Sequence, residues 1–351
     1  MTVGVAIIGT GVMGAEHARL LDREIAAAQV CGVFDVEAGR AAATAGRLRS
    51  ARVFDDPVTL ISERGVDAVV VASSDPTHEQ FVLAALAAGK PVLCEKPLAP
   101  DVAGCERIIT AELAAGRRLV SVGFMRRFDP GYRQLKQVLG DGRLGLPLML
   151  HCTHRNRQAP AGLPGEMLIS GSAVHELDIA RWLLGDELSR ITVHRPRSSR
   201  TALPPEDPLL LVVESSTGVL IDIEVFVNSG YGYEIRCELV AEQGTVSLDA
   251  QPPIVERRAG TVQRAVPADW RARFEVAYRE ELRNWIASID AGVPSAAATS
   301  WDGYAATLAA EAALGALRTG IPQSVQAKER PGLYPAPTGG ADLPGEAVAR
   351  A

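Results

Sequence analysis

Val3-Gly4-Val5-Ala6-Ile7-Ile8-Gly9-Thr10-Gly11-Val12-Met13-Gly14 sets an apolar run against a G-x-G-x-x-G turn, and Ala18, Leu20 and Leu21 then keep the spacing of a helix face. Strand, glycine turn and helix in that order are the context a dinucleotide fingerprint requires. Gly9 makes the tight turn, Gly11 lets backbone approach a pyrophosphate, and Gly14 lets the helix pack close to the strand. The N–H groups of the turn, through Thr10, Val12 and Met13, and the helix dipole then face the phosphates. A second strand, Val30 to Phe34, ends at Asp35, about 20 residues past the last glycine. A carboxylate there accepts from the adenosine ribose hydroxyls and repels a 2′-phosphate, which favours NAD over NADP.

The βα rhythm continues. Ala68 to Ala72 is a strand candidate, and Ser73-Ser74-Asp75-Pro76-Thr77 opens a helix over Thr77 to Ala88, with Asp75 as its cap, Pro76 in its first turn and Gly89 past its end. Loops after such strands lie at the ligand edge of a parallel sheet, so Ser73, Ser74 and Thr77 are cofactor candidates. His78 either touches the cofactor or is an exposed helix-start histidine. Val92-Leu93-Cys94-Glu95-Lys96-Pro97 follows, and Lys96 is one of four lysines, with Lys90, Lys136 and Lys328, in a chain whose other cations are arginines. Pro97 ends the ladder and keeps Lys96 extended at a strand's carboxyl end. An amine where a guanidinium would not serve suggests proton chemistry; a strand-ending, solvated lysine is the plainer reading. A helix from Asp101 to Ala115 closed by Gly116, and a strand from Leu119 to Gly123, complete a first domain, 1–123.

A second domain is expected over 124–330. A strand from Leu148 to His154 leads to Arg155-Asn156-Arg157 and a Pro/Gly-rich loop, Ala159 to Gly165. Ser170 to Asp178 then passes into a helix that Gly185 stops. Ile221, Ile223, Val225 and Val227 alternate with Asp222, Glu224 and Phe226, a strand with one covered face. With Leu209 to Val213, Ile235 to Ala241 and Thr245 to Leu248 this makes a large, mainly antiparallel open sheet. A long helix aligns Phe274, Tyr278, Leu282, Trp285 and Ile289, and a last one runs from a capping box at Thr299 to Asp302 as far as Gly320 and is free to pack back on the first domain. The fold class is an α/β Rossmann domain followed by an α+β domain. Residues 331–351, rich in Pro, Gly and Ala, read as a loose tail.

With 351 residues, 47% hydrophobic, there is material for about two domains, and a net charge of −6 without a basic block argues against nucleic acid. No apolar run is long enough for a bilayer, and Met1 leads straight into a strand pattern, so the expectation is a cytoplasmic protein. Five cysteines, never spaced C-x-x-C, signal neither a disulfide framework nor a zinc site. His151 and His154 have no third ligand spaced to join them, so no metal is expected.

A glycine-turn domain with Glu95-Lys96-Pro97, an antiparallel-sheet domain and His175-Glu176-Leu177-Asp178 at a helix start resembles the Gfo/Idh/MocA oxidoreductase family over about residues 3–334. Asp35, His154-Arg155-Asn156, Val174 to Asp178, and Phe226-Val227-Asn228 followed by Tyr231-Gly232-Tyr233 are most similar to its inositol 2-dehydrogenases. The resemblance implies that a cyclitol or sugar-like hydroxyl loses hydride to NAD, with Lys96 orienting the hydroxyl and steadying the developing oxyanion, and His175 as general base. Histidine titrates near neutrality and a nearby ammonium eases loss of the alcohol proton, so the chemistry agrees. Asp178 either holds His175 or complements the helix dipole. Glu95 with Lys96 joins the cofactor set, and Arg126, His154, Asn156, Ser172 and Tyr233 are carried over as hydroxyl contacts. The family pattern places an aspartate four residues before the histidine, where this chain has Gly171. That aspartate normally partners the lysine; without it Lys96 is a neutral base, or a member of a relay is missing and Ser170 or Ser172 supplies a hydroxyl or a water. The resemblance also implies a homotetramer or dimer. Two rivals stand beside a dehydrogenase: a biosynthetic NAD(P)H-dependent reductase of a cyclic ketone or imine, and a non-catalytic NAD-binding protein.

Overall fold

The computed structural model describes residues 2–198, 206–248 and 255–336. Most of the expected tail, 337–351, lies outside the described residues. The described residues fold into two compact units, one drawn from 2–128, 277–307 and 329–335, the other from 129–198, 206–248, 255–276 and 308–328.

The first unit is organised by β1 (Val3–Ile8), which is buried at every position as a strand covered on both faces must be. Around it lie α1 (Val12–Glu24), β2 (Ala28–Phe34), α2 (Ala38–Ala45), β3 (Arg52–Val53), α3 (Pro57–Ser62), β4 (Ala68–Val71), α4 (His78–Ala87), β5 (Val92–Glu95), α5 (Val102–Ala115) and β6 (Val120–Gly123). All strand pairs are parallel in the order β3-β2-β1-β4-β5-β6. The strand order reverses beside β1, so the turns after β1 and β4 flank the crevice where ligands of such sheets bind. Asp101 caps α5 by accepting from Gly104 N, and Gly116 ends it at φ 67°. Asp75 does not cap α4. Asp75 to Thr77 form a 3₁₀ turn that Thr77 Oγ1 closes on the Ser74 carbonyl (2.7 Å), and the α-helix starts only at His78.

The second unit holds α6 (Pro130–Gly140), β7 (Pro147–Arg155), α7 (Val174–Leu184), β8 (Leu188–His194), β9 (Leu209–Ser215), β10 (Leu220–Phe226), β11 (Glu234–Ala241), β12 (Gly244–Leu248) and the small hairpin β13 (Glu256–Arg258) and β14 (Thr261–Gln263). Helices α8 (Trp270–Ala291) and α9 (Ser300–Thr319) contribute residues to both units, and β15 (Gln323–Ser324) closes the order β12-β11-β7-β10-β9-β8-β15. The sheet is antiparallel except for β7 with β10. That pair is joined by no hairpin: the chain runs through α7, β8 and β9 before β10 inserts beside β7, which permits the parallel direction. Leu150, Cys152 and His154 share the buried face with Ile221, Ile223 and Val225. No pattern announced β8, because its register shifts between Leu188 and Arg190 and breaks the period of two. The box at the start of α9 forms as read: Thr299 N donates to Asp302 Oδ2 (2.8 Å) and Asp302 N to Thr299 Oγ1 (3.2 Å). The five cysteines are free, four of them buried. Among the described residues no helix is long and apolar enough to cross a membrane.

Candidate active site

The first unit places its candidate residues through backbone. At Gly9, φ is +89° and a Cβ would come within 2.5 Å of the Ser73 backbone; at Gly14 it would lie 1.8 Å from the Gly9 carbonyl oxygen. Glycine is therefore required twice for packing. At Gly11, which caps α1 (N-cap), a Cβ would meet nothing within 4 Å. Nothing inside the protein demands that glycine, and the open space at the head of a helix is what a pyrophosphate needs. Asp35 ends β2 and turns back on the loop. Its Oδ2 accepts from Thr10 N (2.7 Å) and Thr10 Oγ1 (3.0 Å), and its Oδ1 from Glu37 N (2.9 Å). Burial raises its affinity for a proton, but these donors and Arg40 outweigh it and hold the carboxyl below its ordinary value. Glycine turn, acidic strand end and open helix head together fit a dinucleotide.

Beyond β4, Ser73 and Thr77 bond to each other through their hydroxyls (2.7 Å). His78 is not the exposed helix-start residue of one sequence reading. It is 1% exposed; Nδ1 donates to the Pro97 carbonyl (2.6 Å) and Nε2 lies 3.1 Å from the Ser73 carbonyl. With both nitrogens engaged by backbone, it clasps two loops together. Glu95 is buried at the end of β5 and Lys96 is half-buried after it. Arg126, also in this unit, is almost fully buried in a 3₁₀ turn, Met125–Phe128.

The second unit places its candidate residues through side chains. His154, on the covered face of β7, donates from Nδ1 to Glu176 Oε2 (3.1 Å), and its ring meets Tyr233 edge-on, centroids 5.8 Å apart. Tyr233 in turn packs edge-on against Phe274. Asn156 is pinned through its backbone: its N–H donates to the Phe226 carbonyl (3.0 Å), and its own carbonyl accepts from Ser229 N and Oγ (2.9 Å each). Its side-chain Oδ1 is buried without a hydrogen-bond partner. Asp207 accepts from Val227 N and Asn228 Nδ2 (2.9 Å each), and Asn228 Oδ1 accepts from Ala159 N (3.0 Å), so one amide ties three loops beside His154 and Asn156. Burial pushes the Asp207 carboxyl above its ordinary value despite these donors.

His175 lies in the first turn of α7, with Glu176 and Asp178 each 1% exposed behind it. The turn feeding α7 is not α-helical. Leu168–Ala173 is a single π turn, a widening frequently found at functional sites. Gly171 and the buried Ser172 sit in it; a Cβ at Gly171 would come within 2.8 Å of the Met167 methyl, the far end of a flexible side chain. The Ser170 hydroxyl points at the Met167 sulfur (3.5 Å). Sequence reasoning passed over His17, Glu176 and Asp207. Glu176 stood within the quoted motif, and His17 lies one turn past Gly14, but a partner distant in sequence gave either one meaning.

Residues 3–124 match the family model of the Gfo/Idh/MocA oxidoreductases' NAD-binding Rossmann fold, and residues 132–247 match the GFO/IDH/MocA C-terminal domain. Inositol 2-dehydrogenase 2 of Saccharopolyspora erythraea is 49% identical over 335 residues, covering 95% of this chain and 98% of that one. Inositol 2-dehydrogenase of Acidothermus cellulolyticus is 47% identical over 337 residues, covering 96% and 98%. Among solved structures, myo-inositol dehydrogenase from Lactobacillus casei in complex with NAD(H) and myo-inositol superposes with a TM-score of 0.93 at 33% identity, over 95% of this chain and 100% of that one.

Proposed function

The chain belongs to the Gfo/Idh/MocA oxidoreductase family, and from that membership we propose that it is an NAD-dependent dehydrogenase of a cyclitol secondary alcohol, inositol before other substrates. Gly9, Thr10, Gly11 and Asp35 would hold NAD, which would supply the acceptor for the hydride of the carbinol carbon. His175 takes the hydroxyl proton, and Lys96 holds the oxygen and stabilises its negative charge while the ketone forms. Arg126, His154, Asn156, Ser172 and Tyr233 serve the remaining hydroxyls, with Glu176 orienting His154. The observation that carries this reading is Lys96, kept half-buried behind Glu95 at the carboxyl edge of a sheet whose first turn accepts a dinucleotide. The sheet of the second unit leaves Leu148 and Leu220 exposed, which supports pairing with further copies of the chain as a dimer or tetramer.

One observation favours a second reading. A methyl of Met167, rather than a carboxylate, borders Gly171, and a site altered there suits reduction of a cyclic ketone or imine, with Lys96 and His175 as proton donors. Nicotinamide absorbance separates the two. Oxidation of myo-inositol, scanned with scyllo-inositol, glucose and aminocyclitols across pH, supports the dehydrogenase. Turnover only with NADH and a cyclic ketone or imine supports the reductase, and NAD binding without turnover in either direction overturns both.

A further inference from the structure

Glu95 ends β5 immediately before Lys96 and is 7% exposed. An ionised carboxylate taken out of water is costly unless charge-assisted hydrogen bonds replace the lost solvent. His17, on α1 and 0% exposed, replaces it: its Nε2 donates to Glu95 Oε1 at 2.6 Å. That is the ring's one hydrogen bond among the described residues. Its Nδ1 is buried without a partner, and the ring otherwise meets Tyr278 edge-on at 5.9 Å. Across from it, a Cβ at Gly123 would come within 3.2 Å of Glu95 Cδ and Oε2, so β6 leaves the carboxylate room and little slack. Burial works against its charge, yet the His17 bond, with Lys96 and His78 nearby, holds Glu95 below the usual carboxylate range. On the other side of Lys96 the Pro97 carbonyl accepts from His78. Both chain neighbours of Lys96 are thus held by a buried histidine, Glu95 through its side-chain carboxylate and Pro97 through its carbonyl.

We propose that His17 is a positioning residue for Lys96, acting through Glu95 to tie the lysine turn to the helix that the glycine turn opens. The proposal rests on the reading of Lys96 as the group that contacts the substrate hydroxyl. A pair that merely filled the core would change stability and leave the chemistry of each folded molecule alone; a positioning pair changes where the amine stands. Misplacement by about 1 Å is enough to cost up to about 10²-fold in rate.

The full-length chain with His17→Ala or His17→Gln tests this by kcat, KM for myo-inositol, NAD affinity by calorimetry, and the rate at which acetic anhydride labels the Lys96 amine. Peptide mapping reads the labelling against Lys136, whose amine is held by the Trp182 and Leu183 carbonyls. For His17→Ala the expected result is a fall in kcat of about tenfold or more, unchanged NAD affinity, and an altered labelling rate at Lys96 alone. His17→Gln, whose amide can donate to the same carboxylate oxygen, should recover most of the rate. A lowered Tm with wild-type kcat and wild-type Lys96 labelling would overturn the proposal. Should His17→Ala not fold, the shorter donor in His17→Asn carries the same comparison. If the wild type oxidises no cyclitol, the functional reading fails by itself; labelling still decides the positioning role, and an unchanged Lys96 rate refutes it.

Discussion

The two units solve the same problem, placing a few polar atoms, by different means. In the first, backbone does most of the placing: Gly9 and Gly14 admit each other and Ser73, Thr10 N–H fixes Asp35, and His78 clasps two carbonyls. In the second, buried side chains hold one another: His154 with Glu176, and Asn228 between Asp207 and Ala159. A backbone device is local and tolerates no added atom. A side-chain network spans distant segments and fails by losing a partner.

The sharpest break of this contrast is at the reacting amine. Lys96→Ala should lower turnover by about 10²–10³-fold with NAD binding retained; undiminished turnover would remove Lys96 from the chemistry. Next come the glycines. Gly14→Ala forces the Gly9 carbonyl away and should cost about 1–3 kcal/mol of stability and impair NAD binding, whereas Gly11→Ala should leave stability within about 0.5 kcal/mol and weaken only NAD. Denaturant melts with calorimetry read both, and equal melts would mean that the turn is not set by packing. In the second unit, Glu176→Gln keeps the shape and removes the charge behind His154. We expect KM for the cyclitol to rise about tenfold with kcat nearly constant; a loss confined to kcat would place Glu176 in proton transfer instead. The smallest effect belongs to Gly171→Asp, where the added Cβ presses on the flexible end of Met167. Stability should change by less than about 1 kcal/mol, and kcat/KM for myo-inositol should rise severalfold; inositol bound no better would count against Gly171 as the origin of altered chemistry.

Legibility in the sequence follows the same division. Strand β1, the start and stop of α5, the α9 capping box and the alternation of β10 were readable because each is a local rule: apolar period, cap residue, left-handed glycine. The glycine turn and Asp35 were readable too, since their spacing is dictated by one βαβ unit. Strand β8 was hidden by its register shift, and the π turn before α7 carries no spacing that separates it from a helix start. Of the two readings of His78 only the exposed one is excluded, and nothing local foretold that two carbonyls close over it.

Sequence alone determined which chemistry the chain can carry: a dinucleotide turn, a lysine at a strand end, a histidine at a helix start. Those features need only neighbours within a turn or a strand, so backbone geometry settles them. Tertiary structure decided what each polar group leans on, because partners such as His17 and Glu95, or Asp207 and Asn228, lie far apart in the chain. Only burial makes their hydrogen bonds obligatory, and burial is a property of the folded molecule.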